Sequence, residues 1–398
     1  SDVCSSDLAD MTVAGVIAEY NPFHNGHLFH ILQTKHALGE DTAVVCCMSG
    51  DFVQRGEAAV FSKYARAEAA ARCGADLVFE LPLPWSLSSA EGFARGAVGL
   101  LNGLGVVTHL SFGSEEGEVK PLEDVACALM NPGIDSEIRR ELEEGVSYAA
   151  ARQRALANSV GALSSVLDTP NNILGVEYIK AVYNLRADMA LLTIPRHGAA
   201  HDGEGEGEYR SASELRAAIG SGREVREFMP GEADEVYGRE RDRGRGPVQM
   251  TDLEPMLLSR LRMLGEEAFN GLPDASEGLG NRLYAAAREE PTWDALLAAA
   301  KTKRYALARI RRMAVCAALG IRAGMAEGVP PYARLLAATD RGRQLLRGIA
   351  NRGRLPVITK PAAVKTLSKE ALALYNLGVM AHDLYVLGYS ANEERRGG

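Results

Sequence analysis

Two histidines three residues apart, His24 and His27, stand in the run Glu19-Tyr20-Asn21-Pro22-Phe23-His24-Asn25-Gly26-His27-Leu28-Phe29-His30, directly after the apolar residues that end in Ile17 and Ala18. The apolar run reads as a strand, and the residues after His27 read as a helix. A helix start in such a βαβ unit binds phosphates, because its first N–H groups are unpaired and its dipole is positive there. His24 and His27 then share one side of the first turn. Two imidazoles so placed can donate hydrogen bonds to the phosphates of ATP and stabilise the charge that builds as pyrophosphate leaves the α-phosphorus. Gly26, lacking a side chain, lets a nucleotide approach the backbone. The same spacing also fits two histidines on a solvated helix face; the strand before, the helix after and Pro22 in the loop favour phosphate chemistry. His30 continues that face, where it can assist or simply pack, and His36 reads as surface.

Other chemistries find no footing. There is no G-x-x-x-x-G-K-[ST], no G-x-G-x-x-G after the first strand and no G-x-S-x-G, so kinase-like, dehydrogenase and hydrolase readings fall away. The six cysteines, Cys4, Cys46, Cys47, Cys73, Cys127 and Cys316, form no C-x-x-C pair. Neither a metal site nor a disulfide framework is expected, only reduced, mostly buried thiols.

The elements that must position the histidines follow from the apolar pattern. Runs near 13–18, 43–48, 77–81 and 106–112 alternate with helical patterns near 28–38, 63–72 and 89–101. Such runs separated by helices predict buried parallel strands in a doubly wound α/β sheet. A long helical stretch follows over 135–158, then a loop at 167–172 around Pro170, a helix to about Arg186 and a last strand near 189–194. In Ser211-Ala-Ser213-Glu-Leu-Arg216, either serine could cap a short helix. Residues 238–246, charged and glycine-rich, read as an exposed linker. The expected organisation is therefore a catalytic α/β unit over 11–245 and a mainly α-helical unit over 246–398. Ser1 to Asp10 precede Met11 without periodicity and read as an expression scar or a mis-called start, outside the fold.

The chain has 398 residues, 46% hydrophobic and 24% charged, which is ordinary globular usage and excludes disorder as the main state. No stretch approaches the roughly 18 apolar residues of a membrane span, and the start lacks a signal-peptide layout. A cytoplasmic protein without a membrane partner is expected. Residues 1–250 carry 22 Lys+Arg against 37 Asp+Glu, whereas 251–398 carry 22 against 15. Within 301–369 there are 16 basic side chains and two acidic ones, Glu327 and Asp340, which points to a polyanionic partner.

The blocks GVIAEYNPFHNGHLFH, MSGDFVQRGE (Met48 to Glu57), GADLVFELPLPW (Gly74 to Trp85), SFGSE (Ser111 to Glu115), PNNILGVEYIKA (Pro170 to Ala181), TIPRHGAAHD (Thr193 to Asp202) and SASELR strongly resemble the tRNA(Met) cytidine acetate ligase family. SEGLGNRL (Ser276 to Leu283) and TKRYALARIRR (Thr302 to Arg312) extend the resemblance into the second half. The resemblance implies an HxGH nucleotidyltransferase-type sheet and an ATP-dependent ligase. It would activate free acetate as acetyl-adenylate and acetylate the exocyclic amine of the wobble cytidine in elongator tRNA(Met). His24 and His27 would be catalytic. ATP would be held by the segment Ile17 to His30, by Gly113, by an asparagine of PNNILG and by Arg196. Asn171 is favoured over its neighbour Asn172, but the sequence does not separate them. SASELR would supply Ser211, Ser213 and Arg216 to the β and γ phosphates; a capping serine beside a solvated arginine is the competing reading.

Asp51, Gln54 and Arg55 follow the second strand on the same rim, where they could order the acetate or the cytidine. Lys301, Lys303, Arg304, Arg309, Arg311 and Arg312 would contact tRNA phosphates, with Tyr305 stacking on a base and Lys360 a further candidate. Magnesium is expected on the triphosphate, without a dedicated carboxylate cage. A small-molecule adenylyltransferase using the same loop, or an RNA-binding protein that no longer catalyses, are the alternatives.

Overall fold

The computed structural model describes residues 11–196, 209–276, 278–303 and 305–397. The apolar runs become strands: β1 (Val13–Ala18), followed by α1 (Asn25–Leu38), and β2 (Ala43–Ser49). A two-residue hairpin, β3 (Phe52–Val53) with β4 (Glu57–Ala58), leads into α2 (Lys63–Arg72) and β5 (Leu77–Leu81). Then come α3 (Leu83–Ser86), α4 (Ala90–Gly103), β6 (His109–Ser114), α5 (Val119–Leu129), α6 (Ile134–Glu143), α7 (Tyr148–Val160), α8 (Pro170–Asn184) and β7 (Ala190–Pro195). The remainder is α9 (Ala212–Gly220), α10 (Gly231–Asp242), α11 (Met250–Arg262), α12 (Glu266–Asn270), α13 (Leu279–Glu289), α14 (Trp293–Ala300), α15 (Leu307–Leu319), β8 (Ala333–Ala338), α16 (Asp340–Arg352), β9 (Val357–Ile358) and α17 (Lys369–Tyr385).

The main sheet has seven strands in the order β7-β6-β1-β2-β5-β8-β9. The five strands from β7 to β5 are mutually parallel, and β8 runs antiparallel to β5. Apolar side chains cover both faces, as a doubly wound sheet requires. Val45, Cys47, Leu77 and Phe79 pack with α4, α5 and α8 on one side, while Val44, Cys46, Met48 and Val78 pack with α2, α9 and α10 on the other. A separate core joins α11 to α15 with the end of α17.

Four sequence expectations change. The helix over 135–158 is two helices, α6 and α7, because Gly145 between them takes φ +80°, a left-handed conformation that ends a helix. Pro170 does not sit in a loop but opens α8, where a missing N–H costs nothing. The stretch 238–246 is not an irregular linker, since α10 runs through Asp242 with Glu240 buried, although Arg241 to Arg243 are exposed. Three of its arginines are paired: Arg239 with Glu68 and Glu240, Arg241 with Asp234, and Arg245 with Glu394. Finally, residues 246–398 are not one helical unit, because β8 and β9 return to extend the first sheet. The β8 sequence, ARLLAA, holds no β-branched residue, and its pairing with β5 overrides its helical preference.

One buried cation joins the ends of the central strands. Arg66 in α2 is fully buried; its Nε donates to the Phe61 carbonyl at 2.9 Å, and its Nη atoms reach the carbonyls of Glu19, Ser49 and Gly50. Arg66→Met should therefore orphan several carbonyls at once and cost at least about 3 kcal/mol in urea unfolding. A loss below 1 kcal/mol would show that water replaces the guanidinium freely.

Candidate active site

The HNGH loop leaves β1 and turns into α1 with His24 as the helix cap. His24 has extended backbone, φ −142°, and its Nδ1 accepts the Gly26 N–H at 3.0 Å. In return the His24 N–H donates to His27 Nδ1 at 3.2 Å. The two rings lie 3.8 Å apart between centroids. Because both Nδ1 atoms accept, each neutral ring carries its proton on Nε2, which leaves two N–H donors for a ligand. Gly26 also serves the packing of the turn. A Cβ there would stand 2.8 Å from His24 Cε1, so the glycine makes room for the capping imidazole.

The electrostatics keep these rings uncharged. Burial, then Arg196 and Arg216, depress the His24 pKa to about 3. Burial, His24, Arg196 and His30 hold His27 well below the usual imidazole range. Burial and Arg196 bring His30 to about 4. His30 places Nε2 3.0 Å from Ser111 Oγ, which also bonds Thr34, so its ring fastens α1 to β6. His36 is exposed.

The other residues of the loop shape it from below. Tyr20 is buried against Phe23 and the His27 ring, at 4.8 and 4.9 Å. Glu19 Oε1 accepts the Gln54 N–H at 2.7 Å, and Asn21 Oδ1 accepts the Val60 N–H at 2.9 Å. The Phe23 N–H donates to the Tyr237 hydroxyl at 2.9 Å. Asn25 Nδ2 donates to the Glu227 carbonyl at 3.1 Å.

Three further segments meet this loop at the carboxyl ends of the parallel strands, the position where open α/β sheets take ligands. Arg196 follows β7, and a Cβ on Gly113 of β6 would lie 3.4 Å from its Cγ. Arg196 Nη1 stands 3.5 Å from Asn171 Oδ1, whose Nδ2 donates to Glu115 at 2.5 Å. Asn172 is instead buried, its Oδ1 accepting the N–H groups of Glu115 and Glu116 at 2.9 and 3.2 Å. The two asparagines thus separate: Asn171 faces Arg196, while Asn172 braces the loop after β6. Residues 197–202 of TIPRHGAAHD and the glycine-rich run to residue 208 lie outside the described residues.

The SASELR segment starts α9. Ser211 is the cap, its Oγ accepting the Glu214 N–H at 3.2 Å while Glu214 accepts the Ser211 N–H at 2.7 Å. Ser211 therefore matches the capping alternative. Ser213 Oγ accepts from Arg216 Nη2 and from Arg55 Nη1, both at 3.1 Å. Arg216 Nη1 also donates to the Asn21 carbonyl at 3.0 Å, tying α9 to the HNGH loop.

Asp51 does not line a pocket for acetate or cytidine. It is buried, accepting the Lys63 N–H at 2.8 Å and lying 2.9 Å from His382 Nδ1 of α17. Lys63 Nζ in turn meets Glu80 at 2.8 Å, and Glu80 faces Arg334 of β8 at 3.5 Å. Burial pushes the Asp51 carboxyl up, but His382 and Lys63 outweigh it and hold it well below the usual range. Lys63, His382 and Arg334 escaped the sequence reading because their partners lie far away along the chain.

The basic segment is less open than its charge suggests. Arg311 pairs with Glu57 at 2.6 Å, and Arg312, only 12% exposed at its side chain, faces Asp274 at 3.6 Å. Arg309 donates to the Asp274 carbonyl and Ser276 and covers the Tyr305 ring, which is buried and not presented to a base. Lys301, although exposed, donates to the Thr302 and Tyr305 carbonyls. Lys303 and Lys360 are exposed, and Arg304 lies outside the described residues.

The parallel sheet, the HNGH turn and the cations around it define a nucleotidyl transferase of the HIGH class; the sequence model of the family described as HIGH Nucleotidyl Transferase matches residues 11–398. The chain belongs, within that class, to the tRNA(Met) cytidine acetate ligase family. It is 37% identical to the tRNA(Met) cytidine acetate ligase of Acetivibrio thermocellus over 98% of each chain. It is also 37% identical to that of Caldanaerobacter subterraneus subsp. tengcongensis, over 95% of this chain and 96% of the relative. Among solved structures, Thermotoga maritima TmcAL bound with alpha-thio ATP superposes with a TM-score of 0.90 at 33% identity, over 97% of each chain.

His27→Ala should lower the rate of adenylate formation by about 100-fold to 1,000-fold while leaving RNA binding intact. Equal loss of both would make the ring structural. The depressed histidines also set a pH dependence. Unfolded imidazoles take up protons below about pH 6.5, whereas His24 and His30 in the fold resist until about 3 and 4. The unfolded state thus binds more protons in that window, and stability should fall as pH drops from 6.5 towards 4. Unfolding of the ligand-free protein across this range checks it, and a slope unchanged in a His24→Asn, His30→Asn double variant would contradict it.

Proposed function

We infer that the protein uses ATP to activate acetate and transfers the acetyl group to the exocyclic amine of the wobble cytidine of elongator tRNA(Met), giving N4-acetylcytidine. The observation that carries this reading is the pair of uncharged imidazoles at the start of α1, each with an Nε2–H donor and both within the field of Arg196, in a chain of this family. An acetate oxygen attacks the α-phosphorus, the bond to the bridging oxygen breaks, and pyrophosphate leaves with the electron pair. The cytidine amine then attacks the acetyl carbonyl, loses a proton and expels AMP. Acetate alone is a poor acyl donor because its leaving group would be oxide, and adenylation replaces oxide with AMP. Both steps rest on positioning and charge stabilisation more than on covalent help from the protein.

Within the site, His24 and His27 donate to the phosphates. The backbone from Ile17 to His30, with Gly113, Asn171 and Arg196, cradles the nucleotide, while Ser213 and Arg216 meet its outer phosphates. Ser211 serves by capping α9. Among the described residues no group of three or more His, Cys, Asp or Glu side chains could enclose a metal ion. The groups around the HNGH turn are mostly hydrogen-bond donors, which are poor magnesium ligands, so a magnesium ion would be carried by the nucleotide's own phosphate oxygens. Lys301, Lys303 and Lys360, which are exposed, are proposed to meet tRNA phosphates, while Arg311 and Arg312 fasten α15 in place. No helix among the described residues is long and apolar enough to cross a membrane, and a tRNA substrate supports a cytoplasmic site of action.

Incubation of the protein with labelled acetate and elongator tRNA(Met), with and without ATP, tests the whole reading. Label should appear on the wobble cytidine only with ATP. Acetate-dependent pyrophosphate release without labelled tRNA would move the acceptor elsewhere, and absence of both would overturn the ligase reading.

A further inference from the structure

Arg55 lies on the turn between β3 and β4. That turn is built to reach across the molecule. Gly56 takes φ +75°, and a Cβ on it would stand 2.4 Å from the Arg312 nitrogen, so the turn packs backbone against backbone on α15. Glu57, the nearest acid in sequence, is taken by Arg311 at 2.6 Å. Gln54, on the other side, gives its N–H to Glu19 at the start of the HNGH loop. The arginine between them is exposed and points its Nη1 at Ser213 Oγ.

Ser213 Oγ receives a second guanidinium, Arg216, at the same 3.1 Å. Two like charges from separate elements therefore converge on one small neutral oxygen in the first turn of α9. Like charges this close repel. Burial lowers the Arg216 pKa; Glu57 raises it, Arg55 lowers it by a smaller amount and Glu19 raises it. Among the described residues no carboxylate forms an ion pair with either arginine. A repulsive pair held open on a rigid turn and a helix start is complementary to an anion larger than a single carboxylate.

We propose that Arg55 is a ligand for the β and γ phosphates of ATP, closing the polyphosphate end of the site opposite Arg216. This rests on the adenylating reading of the HNGH turn and goes beyond it, because it takes Arg55 from the acetate or cytidine side to the leaving-group side. As the bond between the α-phosphorus and its bridging oxygen breaks, negative charge grows on the departing pyrophosphate. Arg55 and Arg216 stabilise that charge from two sides, while His24 and His27 donate nearer the α-phosphorus. The turn that carries Arg55 is fastened to α15 through Glu57 and Gly56, so the cation is positioned by the helical unit.

The test compares ligands that differ only in their outer phosphates. In Arg55→Ala, affinity for ATP and for pyrophosphate should each fall about tenfold to a hundredfold, with AMP affinity unchanged. Arg55→Lys should restore part of the ATP affinity, and thermal melting of both variants should match the parent. ATP and pyrophosphate affinities unaffected by Arg55→Ala would overturn the proposal. An increased KM for acetate alone would return Arg55 to the acetate pocket, and weakened tRNA binding alone would make it an RNA contact. Equal losses for AMP and ATP would show a distorted site and also count against it. These binding measurements need neither acetate turnover nor tRNA, so a failure of the ligase reading would register separately.

Discussion

At the centre of this molecule lies a guanidinium that has no carboxylate partner among the described residues. Parallel strands end with carbonyls that have no next strand residue to satisfy them, and β1 and β2 end side by side. Arg66 collects the carbonyls of Glu19, Ser49, Gly50 and Phe61 around one planar cation. Burying a charge is costly, and four aligned dipoles are what offset it here. The result fixes where the chain leaves β1, and therefore where His24 begins α1. A lysine in its place offers three donors on a flexible stem and no plane to span the same set.

The second constraint is that the site works with neutral donors among fixed cations. His24 and His27 cap each other's backbone groups, which dictates their tautomer, while Arg196 and Arg216 discourage protonation. Imidazolium at these positions would bind ground-state ATP more tightly without a matching gain as charge migrates to the leaving group. Behind the site, Asp51, Lys63, Glu80 and Arg334 form a relay of opposite charges from α2 and β5 to β8, and His382 of α17 bonds Asp51. The C-terminal residues thus brace the floor of a site whose chemistry lies in the N-terminal half.

Much of this was legible in the sequence. VAGVIA, AVVCCMS and LVFEL are short, continuous and apolar, which is what a strand covered on both faces requires, and HNGH follows the first of them. The less legible parts have physical causes. ARLLAA carries helix formers and becomes a strand only because β5 offers an edge. Arg66 sits in KYARAEAAAR, which looks like a solvated helix, yet it is fully buried. The charge count over 301–369 was a sound signal of excess but could not show that Arg309, Arg311 and Arg312 are engaged internally. The distinction between Asn171 and Asn172 also needs three dimensions, because only their partners separate them, Arg196 for Asn171 and the N–H groups of Glu115 and Glu116 for Asn172.

The pairing of β5 with β8 has a consequence for the order of synthesis. Val78 takes Ala337 as its neighbour, so a central strand waits for a partner made roughly 250 residues later, tens of seconds at about 5–20 residues per second of translation. During that interval LVFEL presents unpaired N–H and C=O groups along an apolar edge, a template for pairing with another chain. A nascent chain of this protein is therefore most exposed to misassembly after its catalytic residues have emerged and before its helical segment is complete. The same geometry makes the N-terminal half alone a poor unit for grafting or separate expression.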